Sequence, residues 1–433
     1  MKKIGVGLLG CGVVGEAVYR RLTEGAAVIS AKCGAVIKVE KIAVRNPAKS
    51  RGKIPSRLFT RKWRDVVAAP EVDVVVELIG GEDEAYAAVT ESIRQKKHVI
   101  TANKLLLAKK GEEIFRQARK AGVNVGFEAS VAGAVPVIRT IREAVASGTI
   151  KSVFGIINGT SNYILTDMME NGASFRDALS EAQRLGYAEA DPTFDVAGID
   201  AAHKLAILAN LAFGTPVKLR DIYVEGIAML SPDDFLFARQ FGRVIKLLAV
   251  ARNDGGKLDV RVHPAMVAAN RQIARVDGVT NAVELEVSDA GRFMLIGPGA
   301  GGDATASAVI ADIVDTARDI VRGSVGRMTP TGFLPDSRKP MPLKPMDSIK
   351  SGYYLRFTVD DKPGVLAKMA GVLGAKGISI DSVIQKGRSG GPVPLVILTH
   401  EATEKNVRAA IKSIDRLPST RAKTMLIRLE DGR

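Results

Sequence analysis

The chain contains 433 residues, of which 46% are apolar and 25% are charged, so it is long enough to form several domains with buried cores. Its two cysteines exclude a disulfide framework and favour the reducing cytoplasm, and the lack of a continuous apolar stretch of about 18 residues argues against a membrane span. The net charge of +15 raises nucleic acid as a partner, but the basic residues are scattered and carry no nucleic-acid motif, so a basic surface that attracts small anions is favoured.

The first third of the chain alternates predicted strands with predicted helices. The N-terminal apolar run contains patterned glycines and is interrupted by Glu16, so we interpret it as a strand and a turn rather than as a targeting segment. Nearly continuous apolar strands are expected at 3–9, 36–44, 72–80, 98–103 and 123–130, with helices between them. This pattern predicts a parallel, doubly wound α/β sheet.

The rest of the chain has a different pattern. A strand, a polar turn and a helix are expected over 152–172, and further strands near 221–228, 258–263, 279–288 and 292–296, which together indicate an α+β layer. A glycine loop and a long helix follow at 297–323, and five prolines in 330–348 indicate a linker. The last segment has the β-α-β-β-α-β order of a ferredoxin-like module.

The string "GCGVVG" at 10–15 fits the pattern G-x-G-x-x-G between a strand and a helix. The glycines allow a tight turn and let the backbone approach a pyrophosphate at the helix N-terminus. The alternative is a strand-to-helix turn that holds no ligand. The predicted cofactor-binding residues of this turn are Gly10, Gly12, Val13, Val14 and Gly15. Within it, Cys11 is interpreted as a small packing residue.

Two further positions lie where strands of such a sheet end, which is where ligands bind. The second strand ends in Arg45, with Lys53 close behind, where NAD-binding proteins carry an acidic residue. These cations suit the 2′-phosphate of NADP, and the alternative is a solvated basic loop. Lys104 ends the string "TANK", and its position leaves a site lysine and a surface lysine equally open.

The predicted helix in "GIDAAHKLAIL" (198–208) places Asp200 and Lys204 four residues apart in an apolar setting. Glu189 and Asp195 precede it in an acidic stretch, which residue types alone leave open as a solvated loop. A lysine beside a carboxylate can supply a proton to a developing alkoxide. Residue types alone favour a solvated ion pair at helical spacing instead. His203 is interpreted as a core histidine.

The motifs taken together resemble homoserine dehydrogenases. The strings "GLLGCGVVGEAV", "TANK", "NGTSNYIL", "GYAEADPTFDVAGIDAAHK" and "GPGAGGDATASAV" occur in that family's order and spacing across residues 4 to about 325. Ser161 stands where threonine is frequent, and the hydroxyl is kept. The tail "DKPGVLAKMAGVLGAKGISIDSV" resembles an ACT domain, a ferredoxin-like module that binds amino acids.

The resemblance implies three domains. A Rossmann NAD(P)-binding domain is expected over 1–133, completed by 300–328, and an α+β catalytic and dimerisation domain over 134–299. A linker at 329–349 leads to a regulatory ACT domain over 350–433. A homodimer or homotetramer in the cytoplasm is expected, with neither nucleic acid nor membrane as a partner.

The implied reaction is the reversible NAD(P)-dependent reduction of L-aspartate 4-semialdehyde to L-homoserine, on the route to threonine, methionine and isoleucine. The matching positions make Lys204 the proton donor and acceptor, Asp200 its acidic partner, and Glu189 the residue that holds the substrate. Asp195 is a further expected substrate-binding residue. Lys104 matches a lysine at the cofactor and substrate junction, and Gly302 a glycine near the nicotinamide. NADP is favoured over NAD because of Arg45.

Two further ligands follow from the resemblance. A monovalent cation, usually sodium in the family, would be held by the Glu128 carboxylate and by the carbonyl groups of Val131, Gly133 and Val135, a donor set that suits a hard cation. Threonine is the expected effector of the ACT domain, with Gly364 in the effector pocket, and deletion of 350–433 is expected to abolish inhibition.

Three rival functions are less compatible with the sequence. An aspartate-semialdehyde dehydrogenase needs a catalytic cysteine in its substrate domain, but Cys11 and Cys33 both lie in the first 33 residues. An amino-acid sensor that had lost catalysis would not be expected to keep Lys204, Asp200 and Glu189. A basic nucleic-acid binder would show salt-dependent retention on DNA.

Overall fold

The computed structural model describes residues 1–49, 51–386 and 391–431, and the chain divides into two compact units. Unit 1 comprises Met1–Ile157, Ala202–Ile222 and Thr280–Pro340, and unit 2 comprises Asn158–Ala201, Tyr223–Val279 and Met341–Arg433. None of the helices in the described ranges combines the length and the apolar character that a membrane crossing requires.

The strands are numbered in chain order: β1 (Lys2–Leu9), β2 (Ala35–Ala43), β3 (Phe59–Thr60), β4 (Val74–Glu77), β5 (His98–Thr101), β6 (Val125–Gly126), β7 (Ile150–Ile156), β8 (Tyr223–Val224), β9 (Arg243–Asp254), β10 (Lys257–Ala268), β11 (Thr280–Val287), β12 (Gly291–Pro298), β13 (Lys350–Val359), β14 (Ile380–Gln385), β15 (Val393–Thr399), β16 (Ala402–Thr403) and β17 (Met425–Leu429). The helices are α1 (Val13–Glu24), α2 (Ala26–Cys33), α3 (Trp63–Val67), α4 (Asp83–Arg94), α5 (Lys104–Ala121), α6 (Val137–Arg139), α7 (Gly159–Asn171), α8 (Phe175–Arg184), α9 (Thr193–Val196), α10 (Ile199–Phe213), α11 (Pro232–Gln240), α12 (Gly302–Arg322), α13 (Val365–Ala375) and α14 (Glu404–Ile414).

Unit 1 is built on a six-stranded parallel sheet with the order β3-β2-β1-β4-β5-β6. This order is the doubly wound arrangement of dinucleotide-binding folds, so the predicted fold class is confirmed. The side chains of β1 from Ile4 to Leu9 are buried, because helices cover both faces of the sheet. The helix α12 joins this core with Ala306, Val309 and Ile313.

One predicted strand of this sheet is much shorter in the structure. The expected strand at 123–130 is reduced to β6, Val125–Gly126. A Cβ at Gly126 would lie 2.8 Å from Cβ of Asp312, and the backbone N–H of Glu128 donates to Asp312 Oδ2 at 2.8 Å. The chain leaves the sheet there because its backbone binds α12 instead of a neighbouring strand.

Unit 2 contains the β9–β10 hairpin, whose strands pair antiparallel over their whole length, from Lys257↔Asp254 to Ala268↔Arg243. The sequence interpretation missed β9 and shortened β10. Residues 245–251 of β9 are all buried, so the strand lacks the alternation of apolar and polar residues that marks a half-exposed strand.

The C-terminal part of unit 2 has the strand order β17-β13-β15-β14, with α13 and α14 between the strands. The predicted β-α-β-β-α-β module is therefore confirmed. Its strand β17 also pairs parallel with β10 through Ala265↔Arg428 and Met266↔Leu429. The end of the predicted linker is bound as well, since the N–H of Leu258 donates to the carbonyl of Pro342 at 2.9 Å.

Candidate active site

The glycine turn of unit 1 is tightly packed at two residues and open at a third. Gly10 has φ of +101°, and a Cβ there would lie 2.7 Å from the carbonyl oxygen of Leu78. A Cβ at Gly15 would lie 2.6 Å from the carbonyl oxygen of Gly10. At Gly12, none of the described atoms lies within 4 Å of the Cβ position. The backbone at Gly12 is thus accessible to a ligand, as the motif predicts.

A cavity of about 710 Å³ lies beside this turn, lined by Val13, Ala17, Arg51, Lys53 and Gly302 among others. Val13 is 76% exposed at the first position of α1, whereas Val14 is half-buried and packs on the core of the sheet. A Cβ at Gly302 would lie 2.7 Å from Cγ1 of Val13, so the starts of α1 and α12 meet at this cavity.

The basic residues after β2 differ in their exposure and in their contacts. Arg45 and Lys53 are exposed. Arg51 donates from Nε to the carbonyl oxygen of Cys11 at 3.0 Å, and its guanidinium lies 5.3 Å from the ring centroid of Phe59. The sequence interpretation proposed Arg45 and Lys53 as cofactor-binding residues and did not propose Arg51, which is the cation hydrogen-bonded to the glycine turn.

Cys11 is buried in the glycine turn. Burial, and then the charge of Glu16, raise the pKa of its thiol to about 11, against the opposing effect of Arg51. The thiol is therefore protonated at neutral pH and poorly suited to thiolate chemistry, which agrees with a packing role.

Lys104 opens α5 immediately after β5, and it is half-buried. Asn103 caps this helix, since its side-chain oxygen accepts the N–H of Leu106 at 3.0 Å. Lys104 thus lies at the carboxyl edge of the parallel sheet, as predicted.

In unit 2, one asparagine side chain joins two of the predicted carboxylates. The buried Asn158 donates from Nδ2 to Asp195 at 2.7 Å and to Asp200 at 2.9 Å. Its Oδ1 accepts the N–H of Ser161 at 2.8 Å, because Asn158 is the N-cap of α7. The sequence interpretation named Asp195 and Asp200 but missed Asn158, although the N-cap position in "NGTS" was a signal for it.

Asp200 is 3% exposed, so it is not part of a solvated surface pair. Lys204 follows one turn later on α10, is half-buried, and donates from Nζ to the carbonyl oxygen of Ile157 at 2.6 Å. His203 between them is buried, in agreement with the interpretation as a core histidine. The helix therefore carries a buried carboxylate and, one turn later, an ammonium group that is hydrogen-bonded to a backbone carbonyl.

Glu189 lies in an exposed part of the acidic loop between α8 and α9, and its carbonyl oxygen accepts from Nε2 of Gln183 at 3.1 Å. Within unit 2 the structure therefore gathers Asp195 and Asp200 on Asn158, whereas the Glu189 side chain faces solvent.

The residues expected to hold a cation form a buried turn in unit 1. The Glu128 carboxylate accepts the backbone N–H groups of Ile138 and Arg139, both at 2.9 Å. Ala132 and Gly133 have φ of +57° and +58°, which fixes the directions of the neighbouring carbonyl groups. One carboxylate with several carbonyl oxygens fits a hard monovalent cation better than a transition metal. In the described ranges no cluster of three or more His, Cys, Asp or Glu residues suits a metal.

Gly364 is the exposed N-cap of α13 and has φ of +85°. The turn before it is fixed by Asp360, whose carboxylate binds Arg421 at 2.5 Å and 2.6 Å.

Comparisons with known proteins agree along the chain. A family model of homoserine dehydrogenase matches residues 136–314, a model of the homoserine dehydrogenase NAD binding domain matches residues 10–128, and an ACT domain model matches residues 353–419.

Individual relatives match over most or nearly all of the chain. The homoserine dehydrogenase of Neisseria gonorrhoeae is 44% identical over 431 residues, which cover 99% of each chain. The crystal structure of a homoserine dehydrogenase from Thiobacillus denitrificans superposes with a TM-score of 0.94 at 46% identity, again over 99% of each chain. A hyperthermophilic archaeal homoserine dehydrogenase in complex with NADPH has a TM-score of 0.62 at 25% identity and covers 72% of this chain and 97% of its own.

Proposed function

Because this chain belongs to the homoserine dehydrogenase family of NAD-binding oxidoreductases, we propose that it reduces L-aspartate 4-semialdehyde to L-homoserine, reversibly, for the synthesis of threonine, methionine and isoleucine. The observation that supports this most strongly is that one Asn158 amide binds both Asp195 and Asp200. Asp200 lies one helical turn before Lys204 on α10.

Each of these residues has a separate task. Asn158 holds two carboxylates that would otherwise repel each other, so Asp200 keeps a fixed orientation on α10. The Lys204 ammonium, held at the Ile157 carbonyl, donates a proton to the alkoxide oxygen during reduction and takes it back during oxidation. Lys104 and Glu189 bind the substrate, with Glu189 facing its ammonium group. The bound nicotinamide supplies or accepts the hydride.

The glycine turn and its cavity would hold the cofactor, with the pyrophosphate at Gly12 and the start of α1 and with Gly302 near the nicotinamide end. NADP is the favoured form. Arg45 lies two residues after β2, where NAD-binding proteins carry a carboxylate for the ribose, and Arg51 and Lys53 add cations in the loop that follows. NADPH is also the ligand of the archaeal relative.

One spectrophotometric assay tests the function. Homoserine oxidation is followed through the absorbance of the reduced nicotinamide, with NADP and with NAD, each with and without threonine. Oxidation of homoserine that is faster with NADP than with NAD supports both the proposed activity and the proposed cofactor. If homoserine is oxidised with neither nucleotide, the proposed activity is wrong.

Two glycine substitutions separate cofactor binding from folding. Gly12→Ala adds a methyl group to open space at an ordinary φ of −93°, so we expect nearly unchanged stability but a nucleotide Kd weakened on the order of tenfold. Gly15→Ala forces a Cβ to 2.6 Å from the Gly10 carbonyl, so we expect a loss of stability of about 1–3 kcal/mol. Fluorescence titration with NADPH and thermal unfolding measure both. Equal affinities of Gly12→Ala and wild type would refute the cofactor position.

The cation proposal concerns Glu128 and the carbonyl groups of Val131, Gly133 and Val135. A cation bound to the native state raises its stability. Thermal unfolding in sodium chloride and in choline chloride at equal ionic strength tests this, and only a sodium-specific rise of Tm supports the site.

Threonine is proposed as the effector of the ACT module, with Gly364 in its site. Deleting 350–433 is a poor test, because it removes β17 from beside β10. Gly364→Ala and Gly377→Ala are a matched pair: both glycines have positive φ, of +85° and +69°, and among the described atoms none lies within 4 Å of either Cβ position. Both variants should lose stability similarly, about 1–2 kcal/mol. Threonine should no longer inhibit Gly364→Ala but should still inhibit Gly377→Ala. If threonine inhibits both variants equally, the effector does not bind at Gly364.

A homodimer or homotetramer is proposed from strand β12. Within the described part of unit 1, β12 pairs with β11 on one side, and its Phe293 and Ile296 are 37% and 58% exposed. An apolar edge strand of this kind is commonly covered by another chain. Light scattering of the purified protein measures the mass.

A further inference from the structure

A fully buried carboxylate, Glu77, ends β4 in the parallel sheet of unit 1. It is in register with Thr101 on β5, which is also fully buried. Burying a carboxylate inside a sheet destabilises the fold unless donors surround it, and an apolar residue would avoid this cost. The hydrogen-bond donors around Glu77 therefore indicate the role of this residue.

Both carboxylate oxygens of Glu77 are used. Oε1 accepts the backbone N–H groups of Ile79 at 2.9 Å and Gly80 at 3.0 Å. Oε2 accepts the hydroxyl of Thr101 at 2.6 Å. One oxygen thus fixes the loop after β4, and the other binds the end of β5.

The chain of hydrogen bonds continues to the start of α5 and returns to the same loop. The Thr101 hydroxyl accepts the N–H of Asn103 at 3.0 Å. Asn103 Nδ2 donates to the carbonyl oxygen of Gly81 at 2.8 Å, while its Oδ1 caps α5. Glu77, Thr101 and Asn103, with the backbone of 79–81, form a closed polar ring.

This polar ring touches two parts of the candidate active site. The loop after β4 lies against the glycine turn, because a Cβ at Gly10 would be 2.7 Å from the Leu78 carbonyl oxygen and 3.2 Å from the Ile79 nitrogen. Lys104 directly follows Asn103 and begins the helix that Asn103 caps. The ring therefore links the cofactor turn to the strand-end lysine.

We propose that Glu77 is a positioning residue of the dehydrogenase reaction. It fixes the loop at 79–81 and, through Thr101 and Asn103, the start of α5 that carries Lys104. The inference rests on the proposed function. Glu77 acts through Lys104 and the loop and takes no part in the chemistry itself.

Three variants in the ring and one control test this role. Glu77→Gln puts an amide nitrogen opposite the Thr101 hydroxyl, which can accept from that nitrogen but loses the carboxylate that accepts its own proton, and Thr101→Val removes the hydroxyl. Thr101→Ser keeps it. The control is Glu40→Gln, which removes a carboxylate from β2 of the same sheet that is paired with Lys3 at 2.7 Å.

We expect Glu77→Gln and Thr101→Val to lower kcat for homoserine about tenfold or more, because a small displacement of a substrate-binding group slows the reaction steeply. The Kd for NADPH, measured directly by fluorescence, should change by a smaller factor than kcat, because the loop meets the glycine turn only through the backbone of Leu78 and Ile79. Thr101→Ser should recover most of the kcat, and Glu40→Gln should match wild type.

The possible results separate the inference from the proposed function. If the wild type oxidises homoserine and the folded variants Glu77→Gln and Thr101→Val have the same kcat as the wild type, the inference about Glu77 is wrong and the proposed function stands. A lowered Tm with an unchanged kcat per folded molecule assigns the ring a purely structural role and also overturns it. No homoserine turnover in the wild type overturns the proposed function and this inference with it.

Discussion

Lys204→Met is expected to lower kcat for homoserine by roughly 10²- to 10⁴-fold, the usual contribution of a general acid or base, while the Kd for NADPH changes little. Methionine keeps most of the length of the side chain and removes the ammonium that donates to the Ile157 carbonyl. The loss should appear in both reaction directions, because the same group donates the proton in one and accepts it in the other.

Lys97 provides a matched control in unit 1. It is half-buried, and its ammonium also donates to backbone carbonyls, those of Ala69 at 3.1 Å and Val72 at 2.5 Å. Lys97→Met should therefore reproduce the structural cost of losing a carbonyl-bound ammonium without affecting turnover. If both variants retain near-normal kcat, Lys204 is not the proton donor. If both lose it equally, the effect is structural.

Arg428→Met is expected to destabilise the protein by about 3–5 kcal/mol, because it removes one partner of a buried ion pair. Arg428 is fully buried and binds Glu404 at 2.6 Å and 3.0 Å and Glu225 at 2.9 Å. Glu404, 1% exposed, would keep its charge without its main partner. Thermal unfolding followed by circular dichroism should show a midpoint lower by roughly 6–20 °C.

The pH dependence of this effect has a definite sign. Burial raises the pKa of Glu404, but hydrogen bonds and charge from Arg428, together with those from Arg408, outweigh it and hold that pKa below its ordinary value. In the wild type this contribution to stability is present above the ordinary glutamate pKa and is lost as the pH falls toward the depressed value. In Arg428→Met only Arg408 still opposes the effect of burial, so the pKa of Glu404 should rise. Glu404 should then be protonated at a higher pH than in the wild type, and the difference in stability between the two proteins should narrow as the pH falls.

The double variant Arg428→Met with Glu404→Gln checks the cause. It removes both charges, so it should recover part of the stability lost by Arg428→Met. A double variant less stable than Arg428→Met would show that packing around Arg428, rather than an unpaired carboxylate, causes the loss.

Local patterns in the sequence were sufficient for the parallel sheet and for the glycine turn. The continuous apolar runs of β1 and β4 and the spacing of Gly10, Gly12 and Gly15 each depend on neighbours within a few residues, so the sequence alone predicted them. The ferredoxin-like module was predictable for the same reason.

Interactions between distant segments were not predictable in this way. Arg51 binds the carbonyl of Cys11, 40 residues away, and Asn158 binds Asp200, 42 residues away. Glu77 lay inside the apolar strand predicted over 72–80, and its partners are Thr101 on the next strand and Asn103 before the next helix. Residue type identified the carboxylates and cations, whereas only the fold revealed which group holds which.

The parallel pairing of β10 with β17 has a consequence for how the protein is made. During synthesis on the ribosome, β10 emerges about 160 residues before the strand that will lie beside it, a wait of roughly 10–30 s at ordinary elongation rates. Arg261 of β10 also waits for Glu430, with which it forms a buried pair at 2.6 Å. This buried ion pair is therefore incomplete in the nascent chain, and the hairpin β9–β10 depends on its own stability until β17 has been synthesised.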